Sequence, residues 1–191
     1  MTMRKLLLTL ALVGLSSAAQ AKTDINVLAR TCNGCHGVGG VSAGQAMPSI
    51  GGLSKTYLSR IMKQWKNDER SAITMSRVVK GFSDDEIDAL ADYYSKQPWV
   101  PARQSASEAT QAKGKAVVLD TCTDCHGKSG EDPDIDAPKI NGQWSRYMEL
   151  ELEKFRSDEF KMPHRKMKKA AREAKPADAA AAARYIGAQS K

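Results

Sequence analysis

The chain reads as an all-α protein made of two tandem copies of one helical unit. Three observations predict this. Cys-x-x-Cys-His occurs twice, at Cys32-Asn33-Gly34-Cys35-His36 and Cys122-Thr123-Asp124-Cys125-His126, and the two copies use all 4 cysteines of the 191 residues. A shift of 90 lays the first half on the second, taking Pro48 to Pro138, Ile50 to Ile140, Gly52 to Gly142, Tyr57 to Tyr147 and Trp65 to Phe155. Further on a shift of 92 takes Tyr93 to Tyr185 and Gln97 to Gln189, so the unit is duplicated with two extra residues in its second copy. No segment shows the alternating polar and apolar pattern of a strand.

The repeated motif carries the chemistry. Two thiols one helical turn apart lie on the same face and can both add to the vinyl groups of a porphyrin. The adjacent histidine then presents a ring nitrogen to the iron, the arrangement of c-type haem attachment. Two covalently attached haem c groups are therefore expected, on Cys32 and Cys35 with His36, and on Cys122 and Cys125 with His126. A zinc ribbon built from the same cysteine pairs needs no histidine directly after each pair and brings its pairs closer in sequence. Units of about eighty residues bury little apolar surface by themselves. With 3 Phe and 3 Trp in the chain, each porphyrin would be the largest apolar body in its half, linking folding to haem attachment.

The elements follow in order. Arg4 and Lys5 precede the apolar run Leu6 to Leu15, and Ala19-Gln20-Ala21 has the small-residue cleavage pattern. Residues 1–21 read as a signal peptide, with an uncleaved anchor as the alternative, and the mature chain as periplasmic. No later segment is apolar enough to span a membrane.

The first domain, 22–100, opens with a helix of about 24–35 delivering the first haem motif. A loop rich in glycine follows, from Gly37 to Gly52 through Pro48. Tyr57, Leu58, Ile61, Met62 and Trp65 recur at helical spacing and predict a helix over 54–68. Ser83 with Glu86 forms a capping box before a last helix ending near Gln97. Pro98-Trp99-Val100-Pro101 stops that helix, and 101–110 is the linker. The second domain, 111–191, repeats the plan. Helix 108–125 leads into its haem motif, a loop runs to Gly142, helix 144–157 follows, and Pro176 opens an alanine-rich terminal helix with a packing role.

The formal charge is +7, which loss of Arg4 and Lys5 lowers and four haem propionates largely offset. Nucleic-acid binding would need a basic stripe with aromatic platforms, which the chain lacks. The dense run Lys161 to Lys169 reads as the rim of the second haem site, and a partner with an acidic face would suit it. An oxidising compartment favours disulfides, but the four cysteines are already committed, so none is expected.

A sixth ligand decides what each haem does, since a closed iron passes electrons and an open one binds substrate. In the first half Met75 is favoured over Met47, which abuts the loop, and Met62, which sits on the packed stripe. The second half offers Met162, His164 and Met167. Histidine would lower the potential and methionine raise it. Met75 maps to Met167 under the shift of 92, which favours Met167 and leaves His164 as the rival. Pro48 and Pro138 each lie twelve residues after a haem-motif histidine. Their carbonyls could take the histidine's other ring N–H, or they could be turn prolines only.

Thr31-Cys-x-x-Cys-His-Gly37, the proline loop, a Tyr-containing helix and a late Met before the last helix resemble class I cytochromes c. The tandem resembles cytochrome c4 and its relative, the diheme cytochrome subunit of flavocytochrome c sulfide dehydrogenase. The resemblance implies that Pro48 and Pro138 hold the proximal histidines and that Met75 and Met167 close the irons. The metal ligands would then be His36 with Met75, and His126 with Met167. It further implies an electron-transfer protein with no catalytic residues of its own. Met75-Ser-Arg-Val-Val-Lys-Gly-Phe-Ser83, Trp99-Val-Pro-Ala-Arg-Gln104 and Gly142-Gln-Trp-Ser-Arg-Tyr147 are similar to the sulfide dehydrogenase subunit, as are Phe155-Arg, Met162-Pro and Lys166-Met167. Such a subunit would take electrons from an FAD flavoprotein and pass them to a small mobile cytochrome or copper protein. The alternative is a free cytochrome c4 serving a terminal oxidase. A diheme peroxidase or thiosulfate oxidoreductase would need an open or Cys-ligated haem, and no cysteine is spare.

Overall fold

The computed structural model describes residues 24–131, 133 and 137–189; the expected signal peptide, 1–21, lies outside them. Helix α1, Ile25–His36, starts where the Asp24 carboxylate accepts the Asn26 N–H at 2.9 Å. It ends at Gly37, whose φ of 75° suits glycine. A Cβ there would lie 1.9 Å from the Val41 carbonyl, so the reversal after His36 admits no side chain. Gly127 makes the same stop after His126 with φ 76°.

Helix α2, Lys55–Lys66, is capped by Ser54, and the short helix α3, Met75–Val78, runs into a single 3₁₀ turn, Val79–Gly81. Helix α4, Asp84–Ser95, carries the expected capping box, with Ser83 N–H to Glu86 at 2.8 Å and Glu86 N–H to Ser83 at 3.1 Å. Helix α4 crosses α1, where the buried Tyr94 hydroxyl donates to the Ala29 carbonyl at 2.8 Å. Ala29, Leu53, Leu58, Leu90, Ala91 and Tyr94 form the first core.

The second half begins with α5, Glu108–Val117. It widens into a π turn, Val118–Cys122, and resumes as α6, Thr123–His126. The expected single helix over 108–125 is thus unbroken in sequence but carries a π bulge, a feature hydrophobic spacing does not reveal. Helix α7 is Ser145–Arg156, and α8, Arg165–Glu173, is an element the sequence reading left unassigned. Pro176 opens α9, Pro176–Gly187, at its first position as expected. The alanines of α9 let it lie close on α5, and Ala182, Ala183, Tyr185 and Ile186 join Val118 and Met148 in a second core. Phe155, Met162 and Ala171 make a smaller one.

The duplication is visible in the backbone. Gly52 N–H to Tyr94 C=O and Gly142 N–H to Ile186 C=O are both 2.9 Å. Ile50 N–H to Gly40 C=O, 2.8 Å, recurs as Ile140 N–H to Gly130 C=O, 2.9 Å. Two indole bonds across the seam between the halves, by contrast, join residues the repeat does not share. Trp99 Nε1 donates to the Asn141 carbonyl at 2.9 Å and Trp144 Nε1 to the Ser42 carbonyl at 3.0 Å. The segment after Pro101 is fastened rather than loose: Ala102 N–H reaches Gly142 C=O at 2.7 Å and Gln104 Nε2 reaches Gly187 C=O at 2.9 Å.

Candidate functional site

Helix α1 delivers Cys32, Cys35 and His36 from its last turns, and the π turn with α6 delivers Cys122, Cys125 and His126. Both histidines are buried, 8 % exposed. His36 Nδ1 stands 2.9 Å from the Pro48 carbonyl and His126 Nδ1 3.1 Å from the Pro138 carbonyl. A carbonyl only accepts, so each Nδ1 carries the proton and each Nε2 keeps a free lone pair. Burial pulls the pKa of both rings down, against the opposing pull of the proline carbonyls, with the nearby His164 lowering His126 further. Neutral imidazole, the metal-binding form, is the result. Burial, then Cys125 and Asp120, pushes the Cys122 thiol up to about 11. It is a neutral thiol at pH 7.

Cys122, Cys125, His126, Pro138, Met148 and Met167 share the wall of one cavity of about 930 Å³, at the upper end of the size range of ligand sites. Its wall is completed by the other half, with Tyr57, Arg60 and Arg70. A flat apolar macrocycle fits the aliphatic wall, and its carboxylates could meet Arg60 or the lysines among the charged side chains of both signs at the edge. In the first half the Trp65 indole N–H is buried with no hydrogen-bond partner, a donor that a carboxylate-bearing group would satisfy.

The candidate sixth ligands separate by environment. Met75 is half-buried at the first position of α3, whereas Met62 packs against the first core and Met47 is 38 % exposed. Met162 is 5 % exposed and packs with Phe155 and Ala171. Met167 and His164 both line the cavity, but His164 is otherwise engaged. It is the N-cap of α8, and its Nδ1 accepts the Met167 N–H at 3.1 Å. A backbone N–H only donates, so the Nδ1 lone pair is taken up by that bond.

Sequence reasoning missed a group between the halves. Arg70, 9 % exposed, pairs with Glu151 at 3.4 Å and lies 5.2 Å over the Phe155 ring. The Tyr57 and Tyr147 phenols, related by the repeat, line the same cavity, and burial raises the pKa of both. Arg70 occupies the place of Phe160 in the second half under the shift of 90. Such breaks in polarity between matching positions are the signal that marks the seam.

Residues 111–190 match the cytochrome c family, and residues 19–93 match the family described as cytochrome c oxidase, cbb3-type, subunit III. The chain is 32% identical over 167 residues to cytochrome c4 of Azotobacter vinelandii, covering 79% of this chain and 80% of that one. A shorter stretch, 68 residues or 36% of this chain and 61% of the relative, is 37% identical to the cytochrome subunit of sulfide dehydrogenase of Chlorobaculum tepidum. Among solved structures, cytochrome c4 of Acidithiobacillus ferrooxidans superimposes with a TM-score of 0.73 at 25% identity, covering 83% of this chain and 99% of that one. The mostly helical, two-unit architecture is that of cytochrome c4. The chain belongs to the cytochrome c4 family of diheme class I cytochromes c, electron-transfer proteins that carry two covalently bound haem c groups.

Proposed function

We propose that this protein is a free periplasmic carrier of the cytochrome c4 type, shuttling electrons toward a terminal oxidase. Its first domain spans 22–100 and its second 111–191, joined by 101–110. Cys32, Cys35, His36 and Met75 would hold the first haem, and Cys122, Cys125, His126 and Met167 the second. The observation that carries this reading is the proline-anchored histidine in each half, its Nε2 left open to a metal. When bound, the haem iron supplies one-electron chemistry by alternating between its ferric and ferrous forms.

The chain's own residues do the rest. The Pro48 and Pro138 carbonyls fix each ring's tautomer and raise its basicity as a ligand. The four cysteines would hold the macrocycle in place through thioether bonds. Met75 and Met167 would keep small molecules from the metal. Among the described residues no helix is long and apolar enough to cross a membrane.

The likeness to cytochrome c4 runs over most of the chain, whereas the likeness to the sulfide dehydrogenase subunit covers 36% of it. The free carrier is therefore the better-supported reading. The higher identity of that shorter stretch favours the subunit as the second reading, with an FAD flavoprotein as donor and a small cytochrome or copper protein as acceptor. Purification separates them. A lone chain with two low-spin haems and no flavin is the expected result; stoichiometric co-elution with a flavoprotein would overturn it in favour of the subunit.

A further inference from the structure

Across the seam, one side chain of the second half reaches the loop that anchors the first half's histidine. Gln143 is 3 % exposed. Its Oε1 accepts the Ser49 N–H at 3.0 Å, and its Nε2 donates to the Ser49 carbonyl at 2.8 Å. Ser49 is itself 3 % exposed, and its hydroxyl accepts the Ser42 N–H at 3.2 Å. Next to Gln143, the Trp144 indole holds the Ser42 carbonyl at 3.0 Å. Two consecutive residues of one half thus clasp both ends of a loop of the other.

The Ser49 N–H and the Pro48 C=O belong to one planar peptide group. That carbonyl is the acceptor of His36 Nδ1–H at 2.9 Å. The hydrogen bonds therefore run in series: His36 Nδ1–H to Pro48 C=O, then through the same amide to Ser49 N–H and Gln143 Oε1. Hydrogen bonds in series polarise one another in a low-dielectric interior. An amide whose N–H is engaged is a better acceptor at its oxygen and is held against rotation.

We propose that Gln143 is a positioning residue for His36, setting the strength of the His36–Pro48 hydrogen bond and with it the potential of the first haem. The device is one-sided. The residue matching Gln143 in the first half is Leu53, whose side chain has no polar group to offer the Pro138–Lys139 peptide. A duplicated pair of sites thus acquires different tuning from a single substitution between its halves. This rests on the reading of His36 as the first haem's proximal ligand.

The test uses the haem-loaded full chain with Gln143→Met, similar in shape and without an amide, and Trp99→Phe as a control. The control removes the Trp99 Nε1 bond to the Asn141 carbonyl across the same seam and leaves Ser49 alone. The two haems are resolved by the NMR methyl signals of their axial methionines during a redox titration. In Gln143→Met a weakened acceptor makes the His36 ring less electron-rich, so the first haem shifts toward its ferrous form. The expected shift is roughly threefold to tenfold in its redox equilibrium, the size of one net hydrogen bond. The second haem stays within about 1.5-fold on the same scale, and the His36 Nδ1 proton exchanges faster with solvent.

Unchanged potentials, both haems shifting together, or an equal shift of the first haem in Trp99→Phe would each overturn the proposal. His36→Ala tests the underlying reading separately. If the first haem keeps its spectrum in that variant, the ligand assignment falls; if it loses it while Gln143→Met changes nothing, only the positioning role falls.

Discussion

His164 grips Met167 through the backbone, its Nδ1 accepting the Met167 N–H at 3.1 Å. The contact does two things at once. It satisfies one of the unpaired donors at the start of α8, and it takes up the Nδ1 lone pair. The rival to Met167 is thereby turned into the cap of the helix that carries it.

Met167→Ala should abolish the iron–sulfur charge-transfer band of one haem and lower that haem's potential, because the soft ligand favouring the ferrous state is gone. His164→Asn keeps a capping acceptor and should leave both bands in place. Far-red absorption and redox titration check both variants. If Met167→Ala leaves the spectrum untouched while His164→Asn turns one haem high-spin, the histidine is the ligand.

Removing the Arg70 guanidinium should loosen the two halves. Arg70→Met deletes the 3.4 Å contact to Glu151 and the stacking on Phe155, leaving Glu151 with Lys154 at 2.5 Å. A loss of about 1–3 kcal/mol is expected in denaturant unfolding. Arg70→Lys should recover only part of it, since an ammonium lacks the planar fork.

Gly114→Ala should be among the most damaging small changes in the second half. A Cβ there would sit 2.2 Å from the Ala181 carbonyl oxygen and 2.5 Å from Tyr185 Cβ. Backbone cannot swing aside as a flexible side chain can, so α5 and α9 must separate. The cost is about 2–3 kcal/mol despite alanine's better helix propensity, and thermal unfolding measures it.

Acid should weaken the first half through the face that α4 presents to α2. Lys63, with Ser59 assisting, holds the Asp88 carboxyl below its ordinary range; Lys66 does so for Asp84, and Lys96 with Lys55 for Asp92. Each carboxyl binds its proton less tightly folded than unfolded. The stabilisation is therefore full above the ordinary aspartate pKa of about 3.9 and is lost as pH falls through the lower folded values. The unfolding midpoint should drop below about pH 4, and Asp88→Asn should flatten that limb. These pairs are solvent-exposed, so about 1 M salt should shrink the effect.

Helices α1, α2 and α4 and the capping box at Ser83 and Glu86 were legible because each rests on local chemistry: spacing, caps, and glycines at forced turns; the four-residue α3, Met75–Val78, was not. The cysteine motifs announced their cofactor for the same reason. Helix α8 was not legible, since its run Arg165-Lys166-Met167-Lys168-Lys169 is mostly charged and its cap is a histidine, outside the usual capping set. The π turn at Val118–Cys122 escaped because such a bulge leaves the surrounding periodicity nearly intact. Gln143, Trp144 and Arg70 act only through residues far off in sequence. Their trace lay in the repeat itself, where Leu53, Ser54 and Phe160 stand at the matching places.

A duplicated unit invites dissection into two small cytochromes, and the Gln143–Ser49 pair argues against it here. A fragment ending near Pro101 would strip the partner from a buried peptide N–H and carbonyl beside the histidine anchor, while the remainder would carry a stranded amide and a bare indole at Trp144. Gene duplication supplied two equal lobes; the stitching between them has made each the other's missing wall.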